Sequence, residues 1–337
     1  MEIVFRRDVS LYCASQWRCL PIGMVGDKGY PYLEFKRGAV LDDQILRQTQ
    51  AARLNDDANQ PVQFEQIVFS GGGTRCFWQG GFLGVIRQPL GLSPKRITGV
   101  SAGALSAAGF IADNASRVLA LMGDAFERHS LEPVVPAAIL RGKAPHERIY
   151  RAVISEAMDA AALDAIAQGP QFHITLAVPP KWLPPLAGTY LSFVCYKLDQ
   201  IIRSNPHIVL PSKLGARKLM VDGRQAARDG HLVDLICAAA TIPPVFGLAQ
   251  WPPGSGRYVM DAGTTDNAPM PEPDEGQTLL LMTRHYRNLP SAARLTCVEP
   301  KTPVPASKLD FRSRAKIERG WAIGEQDGHS FLAECGL

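Results

Sequence analysis

The stretch "RITGVSAGALSAAGFIA", Arg96–Ala112, joins an apolar, β-branched run to a run of small residues, and the join is Gly99-Val100-Ser101-Ala102-Gly103. Ile97, Thr98 and Val100 suit a strand. The alanine-rich segment after them suits a helix. A strand that passes straight into a helix leaves little room for Cβ atoms where the two cross. Glycine on both sides of Ser101 therefore fits a sharp, strained corner. Ser101 at that corner has two readings. It is a nucleophile at a helix N-terminus, where the helix dipole favours developing negative charge, or it is the N-cap of a packed strand–helix corner.

The same grammar occurs just upstream. "FEQIVFSGGG" reads as a strand ending in glycines, and "FWQGGFLGVIRQ" after it has helical spacing. Strand, glycine turn and helix, repeated, predict an α/β fold with a parallel sheet. Downstream, Ala115–Ala167 is largely helical, with Pro145 placed for a first helical turn. "QFHITLAV", "KLMV", "RYVMDAG", "TLLLMT" and "RLTCVE" are strand candidates, and "HLVDLICAAATI" is a helix between two of them. Three regions follow: an N-terminal extension over 1–60, a catalytic α/β region over 61–290, and a C-terminal strand and basic, partly helical tail over 291–337. Within the extension, "YPYLEFKRGAVL" suggests a strand or two, "LDDQILRQTQAARL" a helix, and Asn55–Pro61 a polar linker.

At 337 residues, 46% hydrophobic and 20% charged, the composition is that of a soluble globular protein with a sizeable core. A net charge of +4 permits contact with an anionic membrane surface and is too weak to indicate nucleic acid. Cys13, Cys19, Cys76, Cys195, Cys237, Cys297 and Cys335 are scattered, with no C-x-x-C pair. That spacing speaks against zinc or a disulfide framework and for a reducing compartment. Arg6-Arg7 is followed by no apolar signal region, and Ile97–Ala112 is too short for a membrane span. The expected location is the cytoplasm, peripheral to a membrane, or outside the cell by a route that leaves no cleavable signal.

Two further motifs could carry chemistry. In "SGGGTR", Ser70–Arg75, the backbone N–H groups of Gly71, Gly72 and Gly73 stand at a strand end. A Walker loop would need a following lysine, and a dinucleotide fingerprint would need glycine where Cys76 stands. A phosphate- or nucleotide-binding module is thus a poor fit. An oxyanion hole or a plain turn between strand and helix remains. In "YVMDAGTTDNAP", an apolar strand delivers Asp261 at its end, before a turn closed by Asn267 and Pro269. A carboxylate at such a place serves catalysis or simply caps an Asx turn. If Ser101 used a Ser-acid-His order, His285 would be the histidine, being downstream of Asp261 and just after a strand.

Together, "GGGTR", "GVSAG" and "DAGTTDNAP", with "AAATIPPVF" (Ala238–Phe246) leading into the aspartate strand, resemble the patatin-like phospholipases. The likeness spans about Phe64 to Leu289. Cys76 stands where the family has glycine after its arginine, and Ala262 where it has glycine after its aspartate. The resemblance implies a three-layer α/β fold with a mainly parallel central sheet flanked by helices. It implies Ser101 as nucleophile, Asp261 as its dyad partner, Gly71, Gly72 and Gly73 as the oxyanion hole with Arg75 beside it, and Gly99 and Gly103 as the elbow. It implies a phospholipid or other lipid ester as substrate, transient contact with a membrane surface, and no metal or cofactor. It leaves a protein activator open.

Two apolar stretches lie apart from the motifs. Trp182, Leu183, Leu186, Tyr190 and Phe193, in a proline-stiffened segment, read as core filling beside the "QFHITLAV" strand, as a membrane-facing loop, or as an acyl pocket. In the tail, Lys308, Arg312, Arg314, Lys316 and Arg319 alternate with Leu309, Ile317 and Trp321. They read as a solvated helix face or as a contact for anionic headgroups.

Overall fold

Each of the first two described strands passes within a few residues into a helix, the first through glycines and the second through Ser101 alone. β1 (Gln66–Phe69) leads through a 3-10 turn (Gly73–Cys76) to α1 (Phe77–Ile86), and β2 (Arg96–Val100) leads to α2 (Ala102–Ile111). The computed structural model describes residues 63–129, 146–306 and 311–337. They fall within one of two compact units of the chain, Arg47–Leu337. The expected N-terminal extension with its strands, helix and linker, the middle of the long helical stretch, and Lys308 and Leu309 of the tail lie outside the described residues.

The chain continues with α3 (Ala115–His129), α4 (His146–Ala157), α5 (Ala160–Gln168), β3 (Gln171–Val178) and α6 (Pro185–Ile202). Then come α7 (Leu210–Lys213), β4 (Arg217–Asp222), α8 (Gly223–Arg228), α9 (Leu232–Ala239), β5 (Ala249–Gln250) and β6 (Tyr258–Asp261). β7 (Thr278–Leu281), β8 (Leu295–Val298) and α10 (Arg314–Glu334) complete it.

Five strands run parallel in the order β3-β2-β1-β7-β8. β4 lies antiparallel along β3, and β6 pairs antiparallel with both β3 and β5. The sheet is thus mixed but mostly parallel, as the strand–turn–helix repeats require. Every residue of β1 and β7 is buried, which is possible only with cover on both sheet faces. The helices supply that cover.

One segment keeps its sequence reading and one departs from it. Lys316 and Arg319 of α10 are exposed, as a solvated basic face requires, while the helix's other side packs on the core. Ile317 is fully buried, Trp78 Nε1 on α1 donates to Asp327 Oδ2 at 2.7 Å, and Phe82 meets Phe331 edge-on. Arg314 is held by Asp124, Glu127 and Glu318. The proline-stiffened stretch is a helix rather than a loop, because Pro185 at the first helical position already has the φ a helix needs. It does not fill the core: Trp182, Leu186 and Tyr190 are exposed.

Candidate active site

β2 ends at Val100, opposite Thr175 of β3. The next rung on β3, Leu176, is taken by Asp261. Because β4 occupies the other edge of β3 from His173 to Val178, β6 must use the edge that β2 vacates. The ends of β2 and β6 therefore meet. Ser101 Oγ donates to Asp261 Oδ2 at 2.7 Å, and both side chains are buried. The other carboxylate oxygen, Oδ1, accepts the Gly263 N–H at 2.8 Å, which fixes the plane of the carboxylate.

Ser101 has φ 56° and ψ −139°. A side chain at positive φ meets its own backbone, so such a conformation persists only where the surroundings enforce it. Gly103 is part of the enforcement. A Cβ there would sit 2.5 Å from Phe69 O and 2.6 Å from Ser70 O, so only glycine lets α2 press onto the end of β1. Gly99 lies under Ala104 of α2.

The glycine loop closes on the same point. A Cβ on Gly71 would be 2.9 Å from Ser101 Cβ and 2.7 Å from Asn267 Oδ1. The Gly71 carbonyl accepts from Thr283 Oγ1 at 2.9 Å and from Asn267 Nδ2 at 3.2 Å. In a trans peptide the C=O and N–H point in opposite directions. Anchoring that carbonyl therefore aims the Gly72 N–H to the other side. Gly72 itself faces Thr283. Gly73, at φ 61°, lines the cavity beside Ser101. Half-buried Arg75 donates from Nε to Gly72 O at 3.4 Å. Burial, and the Arg284 guanidinium nearby, lower its pKa. Cys76 turns its thiol to Ser70 O, 3.6 Å away.

Three residues have an anchoring role that the sequence motifs do not show, although two of them, Asp266 and Asn267, lie inside "DAGTTDNAP". Thr283 and Asn267 hold Gly71 from behind, and Asn267 also donates to Tyr286 Oη at 2.8 Å. Asp266 receives His207 Nδ1 at 2.9 Å, Lys218 Nζ at 3.0 Å and the Ala268 N–H at 3.1 Å. Burial alone would raise the Asp266 pKa, but His207 and Lys218 outweigh it and the net shift is downward. The only sequence signal for any of these is the turn chemistry of "DNAP", which marks Asn267 as a turn residue and says nothing of Gly71. His285 is half exposed, with Nδ1 3.0 Å from Glu299 Oε2; the side chain bonded to Ser101 Oγ is Asp261.

Beside Ser101 lies a cavity walled by Leu105, Val118, Met122, Phe246, Phe311 and Trp321 among others. The apolar residues that the sequence offered for an acyl pocket, Trp182 to Phe193, take no part in it. Tyr150 also lines it, and its buried hydroxyl has no hydrogen-bond partner among the described residues. Burial pushes the Tyr150 pKa up, so the group stays a neutral donor.

The family whose sequence model matches the chain, over residues 67–274, is described as patatin-like phospholipase. The match covers more than half of the chain. No curated protein matches it. Among solved structures, the crystal structure of VipD from Legionella pneumophila is similar, with a TM-score of 0.38 and 11% identity over 80% of this chain and 67% of that one. Among the described residues, no helix is long and apolar enough to cross a membrane.

Proposed function

The chain belongs to the patatin-like phospholipase family, and on that premise we propose that Ser101 and Asp261 carry its chemistry. Membership makes it a lipid acyl hydrolase, a serine hydrolase acting on carboxylic esters of lipids by a Ser–Asp dyad. The observation behind the residue assignment is the 2.7 Å hydrogen bond from Ser101 Oγ to Asp261 Oδ2, made at a strained corner beside an apolar cavity.

Ser101 Oγ attacks the ester carbonyl carbon while its proton passes to Asp261 Oδ2. A carboxylate is a weak base for this task, so more of the rate must come from stabilising the oxyanion. That role falls to the amides of the Gly71–Gly73 loop and the N-terminus of α2. One well-placed donor of this kind is typically worth about 2.7–4 kcal/mol. Collapse of the tetrahedral intermediate breaks the C–O bond to the alcohol, which leaves with the proton from Asp261. Water then gives a proton to Asp261 and attacks the acyl-enzyme carbonyl; collapse breaks the acyl C–Oγ bond, Asp261 returns the proton to Ser101 Oγ, and the fatty acid is released. The acyl chain occupies the cavity, whose walls are largely apolar.

We take a phospholipid at a membrane surface as the natural substrate. The Arg75 and Arg284 guanidiniums beside the glycine loop suit an anionic headgroup. A fluorophosphonate probe tests the assignment. It should label the wild type and fail to label a folded Ser101→Ala variant, which should also lose hydrolysis of a soluble short-chain ester. Undiminished labelling of that variant would overturn the assignment.

A further inference from the structure

Helix α6 is amphipathic in the opposite sense from one that covers a core. Trp182, just ahead of it, and Leu186, Tyr190, Val194, Leu198 and Ile202 recur at every fourth residue, and all six are exposed, from 40% at Tyr190 to 72% at Ile202. Each step of four residues advances about 40° around a helix, so the helical members wind over about 160° and form an apolar outward half of α6 about 24 Å long. The face turned inward carries Gly188, Thr189, Ser192 and Asp199, with Cys195 and Tyr196 as its buried larger side chains. Of ten large hydrophobic residues exposed among the described ones, eight lie between Trp182 and Leu214. Scattered single exposures need no explanation, but a contiguous patch marks an interaction site.

The charges around the stripe have one sign. Residues 181–218 hold Lys181, Lys197, Arg203, Lys213, Arg217 and Lys218 and a single acid, Asp199; Arg203 is paired with Asp199 and Lys218 with Asp266. Asp199 is fully buried and accepts the Val209 and Leu210 N–H groups. Trp182 Nε1 donates to Leu214 O at 2.8 Å, which brings Lys181 and Lys213 to one end of the stripe. Arg287 Nη2 donates to Ile201 O at 2.8 Å, which sets Arg287 beside Arg203 at the other end. Lys197 lies between.

We propose that α6 is a membrane-docking helix, its Trp182–Ile202 stripe seated in the interfacial layer of an anionic bilayer and its lysines and arginines on the headgroups. The stripe supplies apolar area for the acyl boundary, Trp182 and Tyr190 suit the interface, and the cations match a negative leaflet. A second copy of this face would meet its own positive charge. The purpose of docking rests on the lipid hydrolase reading, though the binding itself does not. On its inner side α6 packs against the turn that follows Asp261, and its Gln200 accepts from Arg284 Nη2. Docking therefore brings those loops to within about one helix diameter of the bilayer, roughly 10–12 Å.

Co-sedimentation of the full chain with phosphatidylcholine vesicles, with and without about a third phosphatidylglycerol, tests this. The wild type should bind the anionic vesicles and bind pure phosphatidylcholine much more weakly. Leu186→Glu/Val194→Glu/Leu198→Glu should lose at least about tenfold in binding and keep wild-type hydrolysis of p-nitrophenyl butyrate. Lys181→Glu/Lys197→Glu/Lys213→Glu should lose at least about fivefold on anionic vesicles only, and it decides the matter should the apolar variant fail to fold. Absence of wild-type binding, or equal binding by both variants, overturns the proposal. So does a wild-type dimer that the apolar variant splits, since the stripe would then pair two copies. Vesicle binding without any hydrolysis of the soluble ester would sink the hydrolase reading and leave the docking helix standing.

Discussion

Helices α2 and α6 both carry many apolar residues and both adjoin the loops around Ser101, yet they turn opposite faces to water. α2 buries Leu105, Phe110 and a set of alanines and glycines. α6 exposes Leu186, Tyr190, Val194, Leu198 and Ile202 and buries Gly188, two hydroxyls and a carboxylate beside Cys195 and Tyr196. The inner side of α2 is dictated by close approach to β1 and by the cavity. The inner side of α6 has polar work to do: Asp199 takes two backbone N–H groups, and Thr189 and Ser192 donate to Pro185 O and Gly188 O. Where polar needs occupy the inward face, an apolar outward face is left for something outside the fold.

The inward half of this contrast depends most on Asp261. Asp261→Asn should lower kcat on a soluble ester by about 10²–10⁴, because an amide cannot take the Ser101 proton. His285→Ala should keep most of its rate, since His285 bonds Glu299. In a Ser-His-Asp arrangement the histidine is the base, and its loss would cost more than about 10³. Measuring kcat for both variants, with circular dichroism as the check on folding, separates the two machineries. A thousandfold loss in His285→Ala would leave the corner at Ser101 intact and its chemistry misassigned.

Gly103→Ala strikes the packing of α2 directly. The new methyl would face Phe69 O and Ser70 O at 2.5 and 2.6 Å, and both are backbone atoms that cannot swing aside. Overpacking of this kind costs about 1–3 kcal/mol, read as a drop in the urea midpoint, with a further loss of kcat as Ser101 shifts from Asp261. An unchanged midpoint would mean that the corner is looser than its distances indicate.

This corner was legible in the sequence because its constraints are local. Gly99, Ser101 and Gly103 lie within five residues, and the strand and helix on either side announce themselves by composition. Asp261 was legible as a strand end, and its pairing with Ser101 came from the family resemblance. Thr283 was not legible at all. It meets Gly71 across 212 residues of sequence, through a parallel sheet whose strand order no local pattern encodes. The inversion of α6 was hidden for another reason. Its four-residue spacing fixes which residues share a face, and only the tertiary structure decides which way that face points.

Asp266 tests the turn that links the two helices' surroundings. Its pKa lies below the ordinary 3.8 because His207 and Lys218 outweigh its burial. A carboxylate whose folded pKa is depressed contributes stability that is fully present above its unfolded pKa and is lost as pH falls through the folded one. Both partners are partly exposed, so the contribution should be about 1–2 kcal/mol at neutral pH. The expected result is an unfolding free energy for Asp266→Asn that lies below wild type at pH 7 and converges with it below about pH 4. A gap that stays constant into acid would mean that packing, rather than charge, holds this turn.

The smallest expected effect bears hardest on the contrast between the helices. Val194→Gln/Leu198→Gln replaces two exposed apolar side chains on α6 with polar ones of good helix propensity or similar length. If nothing in the folded chain covers that face, no cavity forms and no buried polar group is stranded. The change in unfolding free energy should then stay within about 0.5 kcal/mol, as for surface substitutions generally. Hydrolysis of a soluble ester should be unchanged. Equilibrium urea unfolding of the full chain reads the first quantity, and a stopped assay the second. A loss above about 2 kcal/mol is the size expected when buried aliphatic side chains are replaced. It would show that the stripe is buried in solution by the chain's own residues or by another copy, and α6 would join α2 as an ordinary core helix.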